Sequence, residues 1–305
     1  MVDVSVCLIT YKHEKYIAQA LDSILMQKIN FAWEIIVADD CSPDGTMHII
    51  KQYQQKYPEI VRIIPREKNV GPSLNFVELI GAATGKYIAY LEGDDYWTDE
   101  LKLQKQFDLM EANPSYSMCY HKIKWEFMYG ESVQWSKLEE PNCNDPKEST
   151  IYDLLEKGWF IRSCSMFFIN FKLPEGFEKL YIGDYPLHVL LADLGNIGFI
   201  DEFMGTYRIH QQGLSETMLI SDDLNKKIRN HKQEIFLCNY LNSNTNFKYE
   251  KEFKKKIFDE IYSFNKFLLS KNMKLFLSNI WYTLLNFNTW ALLKQSLIKI
   301  SKQIK

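Results

Sequence analysis

The architecture of this chain is read most directly from residues 87–99, Tyr87-Ile88-Ala89-Tyr90-Leu91-Glu92-Gly93-Asp94-Asp95-Tyr96-Trp97-Thr98-Asp99. Its apolar beginning predicts a buried strand that stops at Gly93, and a helix is predicted from about Asp99. Adjacent carboxylates, Asp94 and Asp95, follow the strand, where open α/β sheets bind their ligands. Such a pair repels unless a cation lies between the two or one is protonated, so the stretch predicts a Mg²⁺ or Mn²⁺ site. A surface turn that caps the helix is the other interpretation.

Strand and helix alternate through the first third of the chain. Buried strands are predicted at residues 4–10, 34–38 and 61–64, with amphipathic helices between them. This spacing predicts right-handed βαβ crossovers and a mainly parallel, Rossmann-like α/β sheet flanked by helices. After Met110 the alternation breaks down. Further elements are predicted as short strands at 117–121, 163–171, 197–201 and 204–209, and as a helix at 184–194.

Composition describes an ordinary globular protein with an uneven charge distribution. The 305 residues are 46% hydrophobic and 25% charged, with a net charge of -3. Residues 226–305 carry 16 lysines and arginines against five acids, so the basic end is suited to an anionic lipid surface. The six cysteines form no C-x-x-C pair, and Met1-Val2-Asp3 leads straight into a core strand. We therefore expect reduced thiols, no signal peptide and a cytoplasmic location.

Several short motifs exclude other classes of site. Gly81 to Lys86 imitates a phosphate loop but is one residue short and precedes a strand. Asp40 to Gly45 imitates a calcium loop, but its twelfth position is Lys51. No Gly-x-Gly-x-x-Gly follows the first strand, which argues against a dinucleotide site.

Polar groups at the carboxyl ends of three neighbouring strands form an ordered series. It consists of Val6-Cys7-Leu8-Ile9-Thr10-Tyr11, Ile36-Val37-Ala38-Asp39-Asp40-Cys41-Ser42-Pro43-Asp44, Asn69-Val70-Gly71 with Asn75, and Gly85-Lys86-Tyr87-Ile88-Ala89 leading into Glu92-Gly93-Asp94-Asp95. Over residues 4–215 the series resembles family 2 glycosyltransferases, the inverting nucleotide-sugar enzymes of the GT-A fold. The resemblance implies a catalytic domain at 1–215, with a nucleotide-sugar half at about 1–112 and an acceptor half at about 113–215. Residues 216–305 would form a basic, amphipathic helical extension.

The resemblance also implies roles for the residues that match. Thr10, Tyr11 and Asp40 would line the base pocket of the donor, and the donor site would also include Asp39 and Asn75. Asp94 would hold the ribose or a metal-bound water, and Asp95 would ligate a divalent cation, Mn²⁺ or Mg²⁺.

Two positions depart from the family pattern. Glu92 stands where Asp usually opens the metal motif, and Lys12 stands where Asn is usual.

The second half supplies the remaining candidates. An inverting transfer needs a general base, and the family places an acid at a helix start that corresponds to Asp184; a plain helix cap is the alternative. His210 would ligate the metal or the diphosphate, and Arg208 would pair with phosphate. Trp97 and Trp159 are candidates for stacking on sugar faces, or are simply buried in the core.

The tail carries an uncharged run from Leu275 to Leu293 that approaches a membrane-spanning length but is interrupted by asparagines. An in-plane amphipathic anchor fits better, with its stripe formed by Trp290, Leu293, Leu297, Ile300 and Ile304. The alternative is a helical subdomain whose stripe contacts the catalytic domain or a second subunit.

These features predict a metal-dependent, inverting hexosyltransferase. It would move a sugar from a nucleotide-sugar donor, a UDP-sugar, to a glycan or lipid-linked glycan acceptor in bacterial surface polysaccharide synthesis. It would be peripheral at the inner face of the cytoplasmic membrane, touch the membrane or dimerise through its C-terminal helices, and bind no nucleic acid. Two alternatives stay open: a nucleotidyltransferase, which usually carries a Gly-rich loop absent from residues 10–15, and a non-catalytic nucleotide-sugar binder or scaffold.

Overall fold

The computed structural model describes residues 2–128, 136–140, 145–210, 213, 224–271, 273–286 and 290–304. The chain divides into two compact units, Met1–Leu219 and Ile220–Lys305. Cys143 and the domain boundary predicted near residue 215 lie outside the described residues.

The first unit is an α/β domain built on one mixed sheet, which confirms the predicted fold class. Its strands are β1 Val4–Thr10, β2 Trp33–Asp39, β3 Val61–Ile63, β4 Tyr87–Glu92, β5 Tyr96–Trp97, β6 Tyr116–Met128, β7 Ser136–Glu139, β8 Glu148–Ser149, β9 Phe167–Ile169 and β10 Asn196–Ile209. Its helices are α1 Ile17–Leu25, α2 Thr46–Lys56, α3 Pro72–Gly81, α4 Lys102–Ala112, α5 Ile151–Lys157 and α6 Asp184–Leu194. The sheet order is β3-β2-β1-β4-β9-β6-β10-β5, with β7 on β6 and β8 on β10.

The first four strands run parallel and set the edge at which polar residues collect. Strand β1 lies between β2 and β4, and its residues from Val4 to Leu8 are buried because helices cover both faces of the sheet. The register pairs Thr10 with Asp39 and Ile9 with Glu92. The carboxyl ends of β1, β2 and β4 therefore lie side by side.

The second half of the sheet differs from the sequence expectation in the length of its strands. The two short strands predicted at 197–201 and 204–209 are one strand, β10, whose register with β6 shifts between Ile200 and Gly205. These bulge-type irregularities bend the strand, so β10 pairs in parallel with β6 and antiparallel with β5. This route brings the end of β10 beside the acidic turn after β4.

A lysine without a charged partner lies in the core beneath that turn. The Lys102 side chain is fully buried, and its Nζ is 3.7 Å from the centre of the Trp97 ring. Among the described residues Nζ has no hydrogen-bond acceptor. Burial lowers the pKa of Lys102 to about 7. Trp97, a candidate for sugar stacking, is likewise buried, and its indole N–H donates to the Cys164 carbonyl at 2.9 Å.

The second unit is helical, with α7 Leu224–Asn244, α8 Glu250–Lys271, α9 Met273–Asn286 and α10 Trp290–Ile304. Phe264, Leu268 and Phe276 form its buried core. A buried histidine packs against this core. His231 Nδ1 lies 2.8 Å from Glu260 Oε1, and the His231 ring stacks on Phe264.

The stripe predicted as a lipid anchor is largely internal to this unit. Leu293 and Ile300 are buried, and Leu297 packs against the core of the unit. Within the described residues, no helix combines the length and apolar character needed to cross a bilayer.

Lys102→Met should change how stability depends on pH. Between about pH 7 and pH 10 the unfolded chain holds a proton at Lys102 that the folded chain has released, so wild-type stability rises with pH. The slope from one such proton approaches about 1.4 kcal/mol per pH unit. Removal of the amine should flatten this slope and stabilise the protein at pH 7, as measured by urea unfolding at pH 7, 8, 9 and 10.

The control for this measurement is Lys51→Met, which removes an exposed lysine from α2. Its stability curve should run parallel to that of the wild type. Parallel curves for wild type and Lys102→Met would contradict the assignment of a neutral amine.

Candidate active site

The carboxylates that end β2 shape the loops around the polar edge. Asp39 accepts the Ser42 backbone N–H at 3.0 Å and also the Ser42 hydroxyl, which closes the turn after β2. The Asp40 carboxylate accepts the backbone N–H groups of Val70 and Gly71, at 2.7 and 2.9 Å. Asp40 is buried, so its charge holds the loop before α3 against the end of β2.

Asn75 ties the start of α3 to the same place. Its amide donates to the Ala38 carbonyl at 3.0 Å, and its Oδ1 accepts from Arg66 at 2.8 Å. Arg66 also pairs with Glu78. Asn75 is buried, and it connects β2, α3 and Arg66.

The loop after β1 presents one exposed aromatic ring beside a strained residue. Tyr11 is exposed, and Lys12 Nζ lies 5.0 Å from the centre of its ring. Lys12 adopts a left-handed backbone with φ of 61°, and its N–H donates to Ser42 Oγ at 2.9 Å. Asn tolerates this conformation better than Lys does, which gives a physical reason for the Asn expected here.

Gly93 allows the β4 turn to approach the β1 loop closely. A Cβ at this position would lie 2.6 Å from Thr10 Oγ1 and 2.9 Å from His13 Nδ1. Thr10 Oγ1 is itself 3.1 Å from His13 Nδ1. The absence of a side chain at Gly93 therefore brings Thr10 and His13 next to the acidic turn.

Asp94, His210 and His13 form a polar cluster at the centre of the edge. Asp94 Oδ2 lies 3.0 Å from His210 Nε2 and 3.6 Å from His13 Nε2. Burial acts to raise the pKa of Asp94, but the two histidines outweigh it, and the pKa stays below its ordinary value. Asp94 Oδ1 is buried and has no hydrogen-bond partner among the described residues.

Sequence reasoning missed His13, although its place in the loop after β1 is a signal that could have found it.

Asp95, the neighbouring carboxylate, is bonded to the last strand. Its Oδ1 accepts the backbone N–H of Arg208 at 2.8 Å. Burial first, and then the charges of Asp94 and Glu92, raise the pKa of Asp95 well above its ordinary value. Of the three predicted metal ligands, Asp94 and His210 are thus in direct contact, whereas Asp95 joins the turn to β10.

Arg208 is buried and its guanidinium is fully engaged by the protein. Nε lies 2.9 Å from Glu126 Oε2, and Nη1 donates to the Asp94 carbonyl at 2.5 Å. Nη2 donates to the Gln19 side chain. The guanidinium carbon Cζ lies over the Tyr96 ring, 4.3 Å from its centre. These contacts orient Arg208 toward the protein and make it a support for the acidic turn.

Asp184 begins α6, where the sequence predicts the general base. Its Oδ1 accepts the Tyr185 backbone N–H at 3.0 Å, and the Trp159 side chain also donates to it. Burial raises the pKa of Asp184 to about 6, although these hydrogen bonds and the charge of Arg162 act to lower it. Asp184 remains partly accessible, and Trp159 is 42% exposed. A carboxylate with this pKa can accept a proton near neutral pH.

Glu92 is affected by the charges of both Asp94 and Asp184. Burial, followed by the charges of Asp94 and Asp184, raises its pKa to about 8. Its Oε2 accepts the Ser163 hydroxyl at 3.2 Å. The edge therefore holds an ionised Asp94, an Asp184 that titrates near pH 6 and a protonated Glu92.

A cavity of about 280 Å³ opens beside this edge, lined by Lys12, Glu14, Lys15, Tyr16, Pro43 and Asp44. The ring of Tyr16 lies 5.1 Å from that of His210. The cavity thus adjoins the Asp94–His210 pair. Within the described residues, no group of three or more His, Cys, Asp or Glu side chains is arranged to hold a metal ion. Any cation here would need further ligands from a substrate.

Comparison with known proteins identifies relatives of this chain. The model of the family described as glycosyl transferase family 2 matches residues 5–174. An uncharacterized protein of Mycobacterium tuberculosis is 34% identical over 214 residues, which are 69% of this chain and 60% of that protein. The chain thus spans less than two thirds of that relative. The putative teichuronic acid biosynthesis glycosyltransferase TuaG of Bacillus subtilis is 37% identical over 121 residues, 39% of this chain and 47% of TuaG.

Two solved structures share the fold. S. aureus TarS, residues 1–349 in complex with UDP, has a TM-score of 0.55 at 19% identity and covers 87% of this chain and 80% of its own. The mannosyltransferase PcManGT of Pyrobaculum calidifontis, in complex with GDP-Man and Mn²⁺, has a TM-score of 0.53 at 13% identity and covers 98% of this chain and 86% of its own. At these identities the likeness concerns the fold.

Asp40→Ala should destabilise the first unit, because it leaves the Val70 N–H without its acceptor and removes one of the two acceptors of the Gly71 N–H. We expect a loss of about 2 kcal/mol in the free energy of unfolding. Asp40→Asn retains one acceptor oxygen and should lose less. Urea unfolding of both variants measures the two effects.

The exposed neighbour provides the control, since Cys41→Ala should stay within about 0.5 kcal/mol of the wild type. Wild-type stability in Asp40→Ala would show that the carboxylate does not hold this loop.

Proposed function

Since the chain belongs to glycosyl transferase family 2, we propose that it moves a hexose from a nucleotide-sugar donor, a UDP-sugar, to a glycan or lipid-linked glycan acceptor with inversion at the anomeric carbon. The observation that carries the proposal is that two carboxylates, Asp94 and Asp184, both act on Glu92 but have pKa values shifted in opposite directions. Asp94 is ionised beside His210, whereas Asp184 titrates near pH 6, and both raise the pKa of Glu92 between them. Asp94 suits a divalent cation that accompanies the anionic donor, and Asp184 suits proton removal from an acceptor.

Donor recognition is assigned to the loops after β1 and β2. Tyr11 offers an exposed ring on which a base can stack, and Thr10 and Asp40 lie at the neighbouring strand ends. The Asp40 carboxylate has lone pairs left after accepting two backbone N–H groups, so it can also accept from a base. Asp39 and Asn75 act as donor-site residues by fixing these loops.

The acidic turn fits a divalent cation. Asp94 offers an unpaired, buried carboxylate oxygen, a ligand type that suits Mn²⁺ and Mg²⁺, and His210 places an imidazole nitrogen beside it. Asp94 and His210 would hold the cation, with Asp95 as the third predicted ligand. When bound, Mn²⁺ or Mg²⁺ neutralises charge on the departing nucleoside diphosphate.

The chain's own residues prepare the transfer in three ways. Arg208 and Asp95 orient the acidic turn through the bonds that join it to β10. Asp184 accepts the acceptor hydroxyl proton as that oxygen attacks the anomeric carbon from the face opposite the nucleotide. Trp159, exposed and bonded to Asp184, offers a ring for the acceptor sugar.

The biological setting is proposed from relatives. TuaG is described as a teichuronic acid biosynthesis glycosyltransferase, and this chain shares 37% identity with it over 121 residues. By analogy we assign the protein to surface polysaccharide synthesis, at the cytoplasmic face of the membrane where a lipid-linked acceptor would be met.

Calorimetric titration with UDP and with GDP, each with and without Mn²⁺, tests the donor assignment. We expect UDP to bind in a Mn²⁺-dependent manner and GDP to bind more weakly. Asp94→Asn keeps the shape of the side chain but removes its charge. It should weaken Mn²⁺-dependent UDP binding at least about tenfold, since even indirect changes around metal ligands have effects of that size.

Asp108→Asn, on the exposed face of α4, is the matched control and should bind as the wild type does. If folded wild-type protein binds neither nucleotide, the donor assignment is wrong. Equal Mn²⁺-dependent binding by Asp94→Asn would exclude Asp94 as a ligand.

Asp184→Asn should abolish transfer while leaving nucleotide affinity unchanged, because the amide cannot accept the proton. In the wild type, kcat/KM should rise with pH and reach half its plateau near pH 6, the pKa of the free carboxyl. Below that pH Asp184 is protonated and activity falls.

Asp193→Asn, at the other end of α6, controls for the loss of a charge from this helix. Full activity in Asp184→Asn, or a loss of activity together with donor binding, would contradict a role as base.

A further inference from the structure

Helix α9 carries an exposed apolar face that the proposed sugar transfer does not use. Met273, Leu277 and Trp281 are 55%, 51% and 65% exposed, and we call these three residues the α9 stripe. They are spaced four residues apart, so they lie on one face of the helix. Phe276 and Asn279 of the same helix are buried in the second unit. Helix α9 therefore has a buried inner face and, separately, an exposed row of apolar side chains.

The stretch of sequence that holds the α9 stripe carries charge of a single sign. From Ile261 to the end of the chain there are seven lysines and no aspartate or glutamate. Lys271, which is exposed, precedes the helix by two positions. A lipid surface with anionic headgroups is complementary to this segment. A second copy of the same face would bring like charges together, which disfavours self-association.

The side chains also match the chemistry of a membrane interface. Tryptophan places an apolar ring and one N–H donor at the headgroup level. Leucine and methionine offer flexible apolar groups to the acyl boundary, and a basic amphipathic helix lies in the interface plane. No described helix could span the bilayer, so attachment in the plane is the geometry that α9 allows.

Two members of the stripe that the sequence suggested for this role are unavailable. Leu293 and Ile300 are buried in the core of the second unit. The α9 stripe is instead the exposed one, and its neighbouring residues carry the same basic charge.

We propose that the protein binds an anionic phospholipid surface through the α9 stripe, with the surrounding lysines supplying electrostatic attraction. This inference is independent of the proposed sugar transfer, because binding is measured without donor or acceptor.

The test is co-sedimentation of the full chain with vesicles of phosphatidylglycerol and phosphatidylcholine, compared with vesicles of phosphatidylcholine alone. We expect binding to the anionic vesicles and its loss at high salt. The double variant Leu277→Ser, Trp281→Ser should bind at least about tenfold more weakly, since each side chain transfers substantial apolar area. Its melting temperature should equal that of the wild type.

The matched control is Tyr152→Ser, Leu194→Ser, which removes two comparably exposed apolar side chains from the first unit. It should bind vesicles as the wild type does. Wild-type protein that ignores anionic vesicles overturns the proposal, as does a double variant that binds them fully. Equal binding to phosphatidylcholine overturns the proposed selectivity for anionic lipid.

Two further outcomes would assign the stripe a different occupant. A lower melting temperature in the double variant would mean that the stripe is covered by the protein itself. A wild-type dimer that the double variant breaks, in sedimentation velocity, would mean that a second copy covers it. Either result overturns the proposal.

Discussion

The acidic turn after β4 depends on one contact with a distant strand. Asp95 Oδ1 accepts the backbone N–H of Arg208, and the Arg208 guanidinium returns to the Asp94 carbonyl. Buried carboxyl groups are unfavourable unless they are neutralised or hydrogen-bonded. Here the bond to β10 satisfies one oxygen of Asp95, and burial raises the pKa of that carboxyl well above its ordinary value. The bend in β10 that permits this contact is thus a requirement of the site as well as of the sheet.

From this contact follows a division of charge along the sheet edge. Asp94 keeps its charge because two histidines face it, whereas Glu92 and Asp184 lose theirs more easily because burial dominates. Carboxyl groups that share one edge therefore differ in charge at neutral pH. The transfer that we propose for this family 2 member uses both charge states. An ionised carboxylate can hold the cation that the donor needs, and a carboxylate that titrates can serve as the base for the acceptor.

Local patterns predicted the elements that depend on local chemistry. The helix predicted at 184–194 is α6 to the residue, because an acid, a proline and a following glycine mark its ends. The apolar strands and the residues at their carboxyl ends followed from the same kind of pattern. Roles that depend on tertiary contacts did not. The prediction that Arg208 pairs with phosphate stays a prediction, and only the three-dimensional contacts show that Glu126 and Gln19 also bind its guanidinium. In the tail, both stripes are amphipathic, and only three-dimensional contacts show that Leu293 is inside and Leu277 outside.

The bond between Asp95 and Arg208 joins residues 113 positions apart. On the ribosome, the parallel strands β1 to β4 emerge first, but the core cluster that they belong to also needs later residues such as Leu103, Cys119 and Phe167. The acidic turn, however, cannot be completed until β10 has left the exit tunnel. A nascent chain that stalls before Arg208 would hold a formed nucleotide half beside an unsatisfied carboxyl. Synthesis from the N-terminus therefore completes the loops after β1 and β2 before the acidic turn.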